Sequence, residues 1–405
     1  MVKSVKIVIG AAFGDEGKGN TVDRMSGHNT VVVRFNGGAQ ASHTVERHGQ
    51  RHAFSHYGSG SFHHAITYLG PEFIINPTVY RMETEELTPK GVVVPVYADP
   101  FCRVTTIYDM MYNQWLERQR GNDKHGSCGL GINATVDRHE IIPLYLNTAD
   151  VASTLDLIRW YYDEKTDGML EVPPEFVAAW IAEFNNAASS IRLGLNLHEF
   201  DHVVFEGAQG LMLDEFNGQF PHVTRSRTGT TNLYRDPLFS SVINECDDVT
   251  VLYVTRAYAT RHGRGPFWDD ADQGDWASGD VVRRYFDVVD KTNVPNPWQD
   301  TLRLAPINFE ELKKFILADI AAHTDHLKVN NYGLVVTCLD QTSGTHVPVY
   351  NPDPDPWNNK YHVVEYGEFI YQLVHFAEVD LQFDLLITAY GHREFDIELL
   401  KENVV

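Results

Sequence analysis

Residues 5–19 read Val5-Lys6-Ile7-Val8-Ile9-Gly10-Ala11-Ala12-Phe13-Gly14-Asp15-Glu16-Gly17-Lys18-Gly19. The opening run is short and β-branched, which predicts a strand. It passes directly into glycines and one lysine. A strand that delivers such a loop outlines a phosphate cradle: glycines let backbone N–H groups approach the oxygens, and the lysine neutralises them. It is not a Walker A loop. Ala12 stands where the first glycine belongs, and Gly19 follows Lys18 in place of Ser or Thr. From the loop alone a tight turn reads equally well, since glycine permits both.

Similar apolar runs recur at Thr30–Phe35, Val203–Glu206, Val249–Thr255, Gly333–Thr337 and Asp384–Thr388. They are nearly continuous rather than alternating, which predicts strands buried on both faces of a largely parallel sheet. Helical spacing lies between them, at Glu175–Ile191 and at Phe309–Ala322, the latter opened by Pro306 and Asn308. The fold class is therefore α/β: a single large domain over residues 1–405 with a mostly parallel central sheet. Tyr97–Asn122 and Leu144–Asn196 lack long apolar strands and read as an embedded helix-rich subregion, residues 97–200. Asn351–Asn359 (NPDPDPWNN) reads as a surface loop, because proline cannot sit in an inner strand.

Composition narrows the function. Of 405 residues, 43% are hydrophobic and 22% charged, which excludes a disordered chain. Mean hydropathy is −0.29, and no apolar stretch nears the roughly 18–20 residues of a transmembrane helix. The first residues hold no signal-like apolar region, so a cytoplasmic location is expected. Net charge is −22, which disfavours an open nucleic-acid groove but not a small phosphorylated ligand held by backbone amides. Low lysine with excess acid can accompany life in high salt, but a soluble acidic enzyme is the plainer reading. Cys102, Cys128, Cys246 and Cys338 are far apart, which disfavours zinc or disulfides and fits a reducing compartment. His52 and His56, and the pair His63–His64, sit in a Gly- and Ser-rich stretch where no metal site is expected.

The second strand runs into Asn36-Gly37-Gly38-Ala39-Gln40-Ala41-Ser42-His43-Thr44. A lone histidine is more often structural. Two such loops at the ends of the first two strands are more specific, because ligands of open parallel sheets sit outside the carboxyl ends of the strands.

Together the segments AAFGDEGKGN and GGAQASHT resemble the QWGDEGKGK and GGxNAGHT of adenylosuccinate synthetases. Further segments agree in order. Phe205-Glu206-Gly207-Ala208-Gln209-Gly210 matches FEGAQG, and Phe220-Pro221-His222-Val223-Thr224 resembles YPYVT. Ala257-Tyr258-Ala259-Thr260-Arg261 with Gly263-Arg264-Gly265-Pro266-Phe267 resembles AYSTRVGAGPF, and Cys338-Leu339-Asp340 resembles TKLD. Gly391-His392-Arg393 is only faintly similar to STGPDR.

The resemblance implies a ligase that joins L-aspartate to C6 of a purine nucleoside 5′-monophosphate, using Mg²⁺ and a nucleoside triphosphate. Asp15 would take the N1 proton so that O6 attacks the γ-phosphoryl group. Lys18 and the loop residues Gly14, Glu16, Gly17 and Gly19 would hold the triphosphate, with Asp340 at its base and Gly391 nearby. His43 would donate a hydrogen bond near the bridging oxygen. Gln40, Ser127, Cys128, Gln209, Arg227 and Thr228 would hold the monophosphate, and Arg138 would reach a partner's site in a homodimer. Asp15 and the Ser42 carbonyl would bind Mg²⁺, a hard cation that prefers oxygen.

Departures from the family pattern bear on the substrate. Relatives using IMP carry TGRRRR before a tryptophan. Here the residues before Trp298 are Lys291-Thr292-Asn293-Val294-Pro295-Asn296-Pro297. Thr292, Asn293, Asn296, Gln299 and Arg303 become the candidates for binding aspartate. The family's IGTTGRGIGP becomes Gly126-Ser127-Cys128-Gly129-Leu130-Gly131-Ile132-Asn133, and Arg225 and Arg227 could supply the lost charge. TNVPN before Trp298 resembles the phage-encoded branch, which implies dGMP as substrate, ATP as donor and a 2-amino-2′-deoxyadenylate product for 2-aminoadenine synthesis. Retained Asp15 speaks against that branch, some of whose members carry serine there. IMP with GTP is the alternative, and a nucleotide-binding regulator without ligase activity a remoter one.

Overall fold

The computed structural model describes residues 2–121, 127–263, 265–267, 277–288, 302–342, 344–351, 361–391 and 397–401. Ten strands form the central sheet: β1 Ser4–Gly10, β2 Thr30–Arg34, β3 Ile66–Leu69, β4 Val96–Ala98, β5 Arg192–Leu193, β6 His202–Glu206, β7 Val249–Arg256, β8 Asn331–Thr337, β9 Leu385–Ala389 and β10 Ile397–Lys401. Their order in space is β10-β9-β8-β7-β1-β6-β2-β3-β4-β5. Every neighbouring pair is parallel except β9 with β10.

The six strands predicted from apolar runs are the six contiguous strands from β9 to β2. The reason is burial on two faces. Val33, Phe205, Val251 and Tyr253 belong to the core on one side, and Val8, Val32, Val204, Leu252 and Val335 to that on the other. Each fully buried side chain of this size contributes about 1.5–3 kcal/mol, so alternation would leave one face unsupported. The edge strands β3, β4 and β5 hold only four, three and two residues, too few for a periodic signal.

The first connection, from β1 to β2, carries helix α1, Lys18–Met25. The other predicted helices span Pro174–Ser190 and Phe309–His323. Asn308 caps the latter, accepting from Glu311 N at 3.1 Å, whereas Pro306 closes a short strand, Arg303–Pro306. A second core gathers Leu155, Tyr162, Trp180 and Phe184 with Phe54, Leu69 and Phe73 beside the sheet edge. Residues 352–359 of the Pro/Asp-rich stretch lie outside the described residues. Among the described residues no helix is long and apolar enough to cross a membrane.

His52 and His56 flank a buried carboxylate. Glu83, on helix Pro77–Leu87, accepts from the amides of Ser55 at 2.8 Å, His56 at 2.6 Å and Tyr57 at 3.3 Å. The His52 and His56 rings lie 3.6 and 3.5 Å from it. These bonds anchor the Ser55–Tyr57 turn to the helix.

Candidate active site

The glycine loop leaves β1 at Gly10 and enters α1 at Lys18. Gly17 is the residue before the helix, at φ 93°, a conformation that disfavours a side chain. No side chain caps the helix, so its first N–H groups face the crevice. Lys18 is buried, with Nζ 2.6 Å from Glu16 Oε2. Glu16 also accepts from Gly14 N at 2.6 Å and Ala12 N at 3.2 Å. Its side chain therefore folds back beneath the loop, and a nucleotide would meet its backbone. Gly19 explains the departure from a Walker loop. A Cβ there would come within 2.8 Å of the His43 Cβ and 3.2 Å of Ser59 Oγ. The helix can approach the second loop only without a side chain at that position.

A cavity of about 380 Å³ opens at the carboxyl ends of β1, β2, β7, β8 and β9. Asp15, Glu16, Gly17, Lys18 and Gly19 line it from the first loop, and Ser42 and His43 from the second. Asp340 and Gly391 line its far end, with Cys338. Arg24, Arg51 and Arg256, absent from the sequence reading, add positive charge to this acidic protein. Gly14 is not among the lining residues. It lies beside Gln209, whose Oε1 would be 3.3 Å from an added Cβ.

A second cavity, about 200 Å³, holds Gln40, Ser127, Cys128 and Gln209, with Asn113, Thr224, Arg261 and His262. The amide O and N of Gln40 are buried with no partner among the described residues, an arrangement suited to a polar ligand. Burial pushes the Cys128 thiol up, so it stays protonated and is a weak donor.

Three of the expected monophosphate ligands lie elsewhere. Arg138 is fully buried in an ion pair with Asp109 at 2.8 Å, and donates to Val104 O at 2.7 Å and Ile142 O at 2.9 Å. A guanidinium so enclosed cannot reach a partner subunit. Arg227 lines neither cavity and stacks over Phe216 at 4.2 Å. Thr228 is buried, its amide donating to Asp214 at 2.8 Å. Arg225 is likewise engaged, with Asp137 at 3.0 Å and Glu215 at 2.8 Å. Arg303 lines neither cavity; its Nε donates to Gly263 O at 3.0 Å and so braces the rim of the second. Thr292, Asn293, Asn296 and Gln299 lie outside the described residues, as do His392 and Arg393.

The cavities meet at Asp15. Its carboxylate faces the first, and its Oδ2 lies 3.0 Å from Nε2 of His262, which lines the second. Arg256 Nε donates to the Asp15 carbonyl at 2.5 Å. Burial alone would raise the Asp15 pKa, but the bond and charge of His262, with Arg256 and Lys18, outweigh it and lower it to about 2. His43 Nδ1 lies 2.5 Å from Glu206 Oε1; burial pushes its pKa down while Glu206 opposes that. Arg256 was missed, although a cation closing an apolar parallel strand was a signal that could have marked it. His262 sits between two family-like segments, where no pattern marked it.

Asp15 offers an anionic, partly exposed oxygen on the cavity that also includes Ser42, which suits a hard divalent cation. Among the described residues no group of three or more His, Cys, Asp or Glu is arranged to hold a metal. Mg²⁺ usually keeps waters and phosphate oxygens as ligands and needs no such cage.

The parallel sheet, the strand–loop–helix cradle and the two abutting cavities define an α/β protein built around an anion-binding crevice. A sequence model of adenylosuccinate synthetase matches residues 7–285, and the chain belongs to the adenylosuccinate synthetase family. It is 30% identical over 279 residues to the adenylosuccinate synthetase of Dichelobacter nodosus, covering 64% of this chain and 64% of that one. It is 31% identical over 277 residues to that of Microcystis aeruginosa, covering 64% of this chain and 61% of the relative. The matched stretch thus spans less than two thirds of these relatives' length. The fold is similar to fully ligated adenylosuccinate synthetase from Plasmodium falciparum, with TM-score 0.74 and 18% identity over 98% of this chain and 100% of that one. It is also similar to succinoaminodeoxyadenylate synthetase of cyanophage S-2L bound to dGMP and dATP, with TM-score 0.62 and 13% identity over 98% of this chain and 96% of that one.

Proposed function

We propose that the protein is a ligase joining L-aspartate to C6 of a purine nucleoside 5′-monophosphate, with dGMP as the monophosphate and ATP as the donor. The observation that carries the reading is the Asp15 junction. Its carboxylate borders the cavity with Lys18 and His43 and bonds to His262, which lines the cavity with Gln40 and Gln209. A triphosphate in the first and a purine in the second would meet across it.

The chemistry balances on that geometry. Asp15 takes the N1 proton, and O6 forms a bond to the γ-phosphorus as the bond to the β,γ-bridging oxygen breaks, releasing the nucleoside diphosphate. The aspartate amine then adds at C6, the C6–O6 bond breaks, and phosphate leaves. Lys18 and the α1 N–H groups stabilise the charge on the transferred group. Bound Mg²⁺, held by Asp15 and the Ser42 carbonyl, would offset phosphate charge. Thr292, Asn293, Asn296 and Gln299 would bind the aspartate carboxylates.

Guanine and hypoxanthine share N1–H and O6, so the acid–base chemistry does not choose between them. The missing arginine run before Trp298 and the fold similarity to a protein bound to dGMP and dATP favour dGMP. The curated adenylosuccinate synthetase relatives favour IMP with GTP as the second reading. A matrix of dGMP, GMP, IMP and dIMP against ATP, dATP and GTP, with L-aspartate and Mg²⁺, tests both by mass of the succinylated product. Product from dGMP with ATP is expected. Product from IMP alone overturns the substrate assignment, and phosphate release without aspartate overturns the ligase.

A further inference from the structure

His43, expected to donate a hydrogen bond near the bridging oxygen, lines the larger cavity, and the groups behind it have no part in the reaction above. Glu206 ends β6, fully buried, in register with Arg34 at the end of β2. Its Oε2 accepts from Ser59 N at 3.0 Å, and its Oε1 from Ser59 Oγ and from His43 Nδ1 at 2.5 Å. Arg34 Nε is 3.9 Å away.

A buried carboxylate next to an arginine could simply neutralise it. The bonding says more. Arg34 spends its donors on carbonyls, NH1 on Ser55 O at 3.0 Å and NH2 on Ala41 O at 2.8 Å. The short bonds of Glu206 go to His43 and Ser59 instead. Burial raises the carboxyl pKa, but Arg34, His43 and Ser59 outweigh it and hold Glu206 at about 2, an acceptor only. The bond to His43 must then run from Nδ1–H. Among the described residues nothing else bonds to the ring, and the ring lines the larger cavity. Nε2 is the nitrogen left to act there.

We propose that Glu206 is a positioning residue for the phosphoryl transfer: by accepting from Nδ1–H it fixes the angle of the His43 ring, so that Nε2 faces the nucleotide and donates to it when the ring carries its second proton, while Ser59 fixes Glu206 in turn. The proposal rests on the ligase reading above. The conservative variant Glu206→Gln is the sharpest test. Ser59 N needs an acceptor, so the new amide turns its NH₂ towards His43 and reverses the bond.

Two readouts are measured in wild type, Glu206→Gln and Ser59→Ala. In ¹⁵N-histidine-labelled protein, long-range ¹H–¹⁵N spectra should show His43 protonated at Nδ1 in the wild type and at Nε2 in Glu206→Gln. In product assays, kcat should fall by about 10²-fold in Glu206→Gln and less in Ser59→Ala. KM for both nucleotides should stay within about twofold, since binding contacts are untouched. A folded Glu206→Gln with wild-type kcat and tautomer overturns the proposal, as does a wild-type His43 that carries its proton at Nε2 and none at Nδ1. If Glu206→Gln does not fold, Ser59→Ala decides, and wild-type kcat and tautomer there overturn it. If the wild type makes no product with any substrate pair, the ligase reading falls, while the spectra still decide whether Glu206 sets the tautomer.

Discussion

Asp15 stands between two cavities, and single-atom changes there separate binding from chemistry. Asp15→Asn keeps the shape but removes the base, so kcat should fall by at least about 10²-fold while monophosphate affinity, measured by calorimetry, changes little. A matching loss of affinity would make Asp15 a binding group instead. Gln209→Ala should weaken the monophosphate about tenfold, the loss of roughly one good hydrogen bond, with the triphosphate unaffected. That Asp15, Lys18 and His43 line one cavity was legible because each follows a glycine-bearing loop at the end of an inner strand. Arg138 misled for the opposite reason. Nothing in its neighbours shows that Asp109, 29 positions away, encloses it. His262 was invisible because its partner Asp15, 3.0 Å away in space, is 247 positions away in the chain.

Contacts between elements make two further predictions. Gly19→Ser brings the loop closer to a Walker pattern, yet its Cβ would collide with the His43 backbone segment. The variant should lose activity and unfold at lower temperature, and full activity would refute the close approach. Glu83 ties helix Pro77–Leu87 to the Ser55–Tyr57 turn. Burial raises its pKa, but His52, His56 and the turn amides lower it from 4.5 to about 2. A depressed carboxyl stabilises the fold above its unfolded pKa and loses that contribution as pH falls through its folded one. The pair of values spans about 3 kcal/mol, lost between pH 4.5 and 2. Glu83→Gln should therefore unfold at lower temperature at pH 7, with the gap closing towards pH 2. A gap constant with pH would refute the account. The six inner strands were legible because two buried faces force unbroken apolar runs. The short edge strands were not, because pairing and not composition defines them.

For the molecule as a whole, an acidic chain gathers Lys18, Arg24, Arg51 and Arg256 around one cavity, and that cavity shares the Asp15–His262 contact with its neighbour. Filling one should favour filling the other. Monophosphate should tighten the triphosphate by a factor within the usual allosteric range of about 5- to 150-fold, and calorimetry in the reverse order should return the same factor. Independent affinities would show that the contact transmits nothing.

The pairing of Glu206 with Arg34 across neighbouring strands also bears on how the chain reaches this state. If β6 slipped one rung along β2, the guanidinium would sit opposite Phe205 or Gly207. A buried arginine that loses its carboxylate costs about 3–5 kcal/mol, and the slip would turn every neighbouring apolar side chain the wrong way. Two opposite charges buried at the carboxyl ends of neighbouring strands thus act as a proofreading mark, against which a misthreaded chain cannot settle.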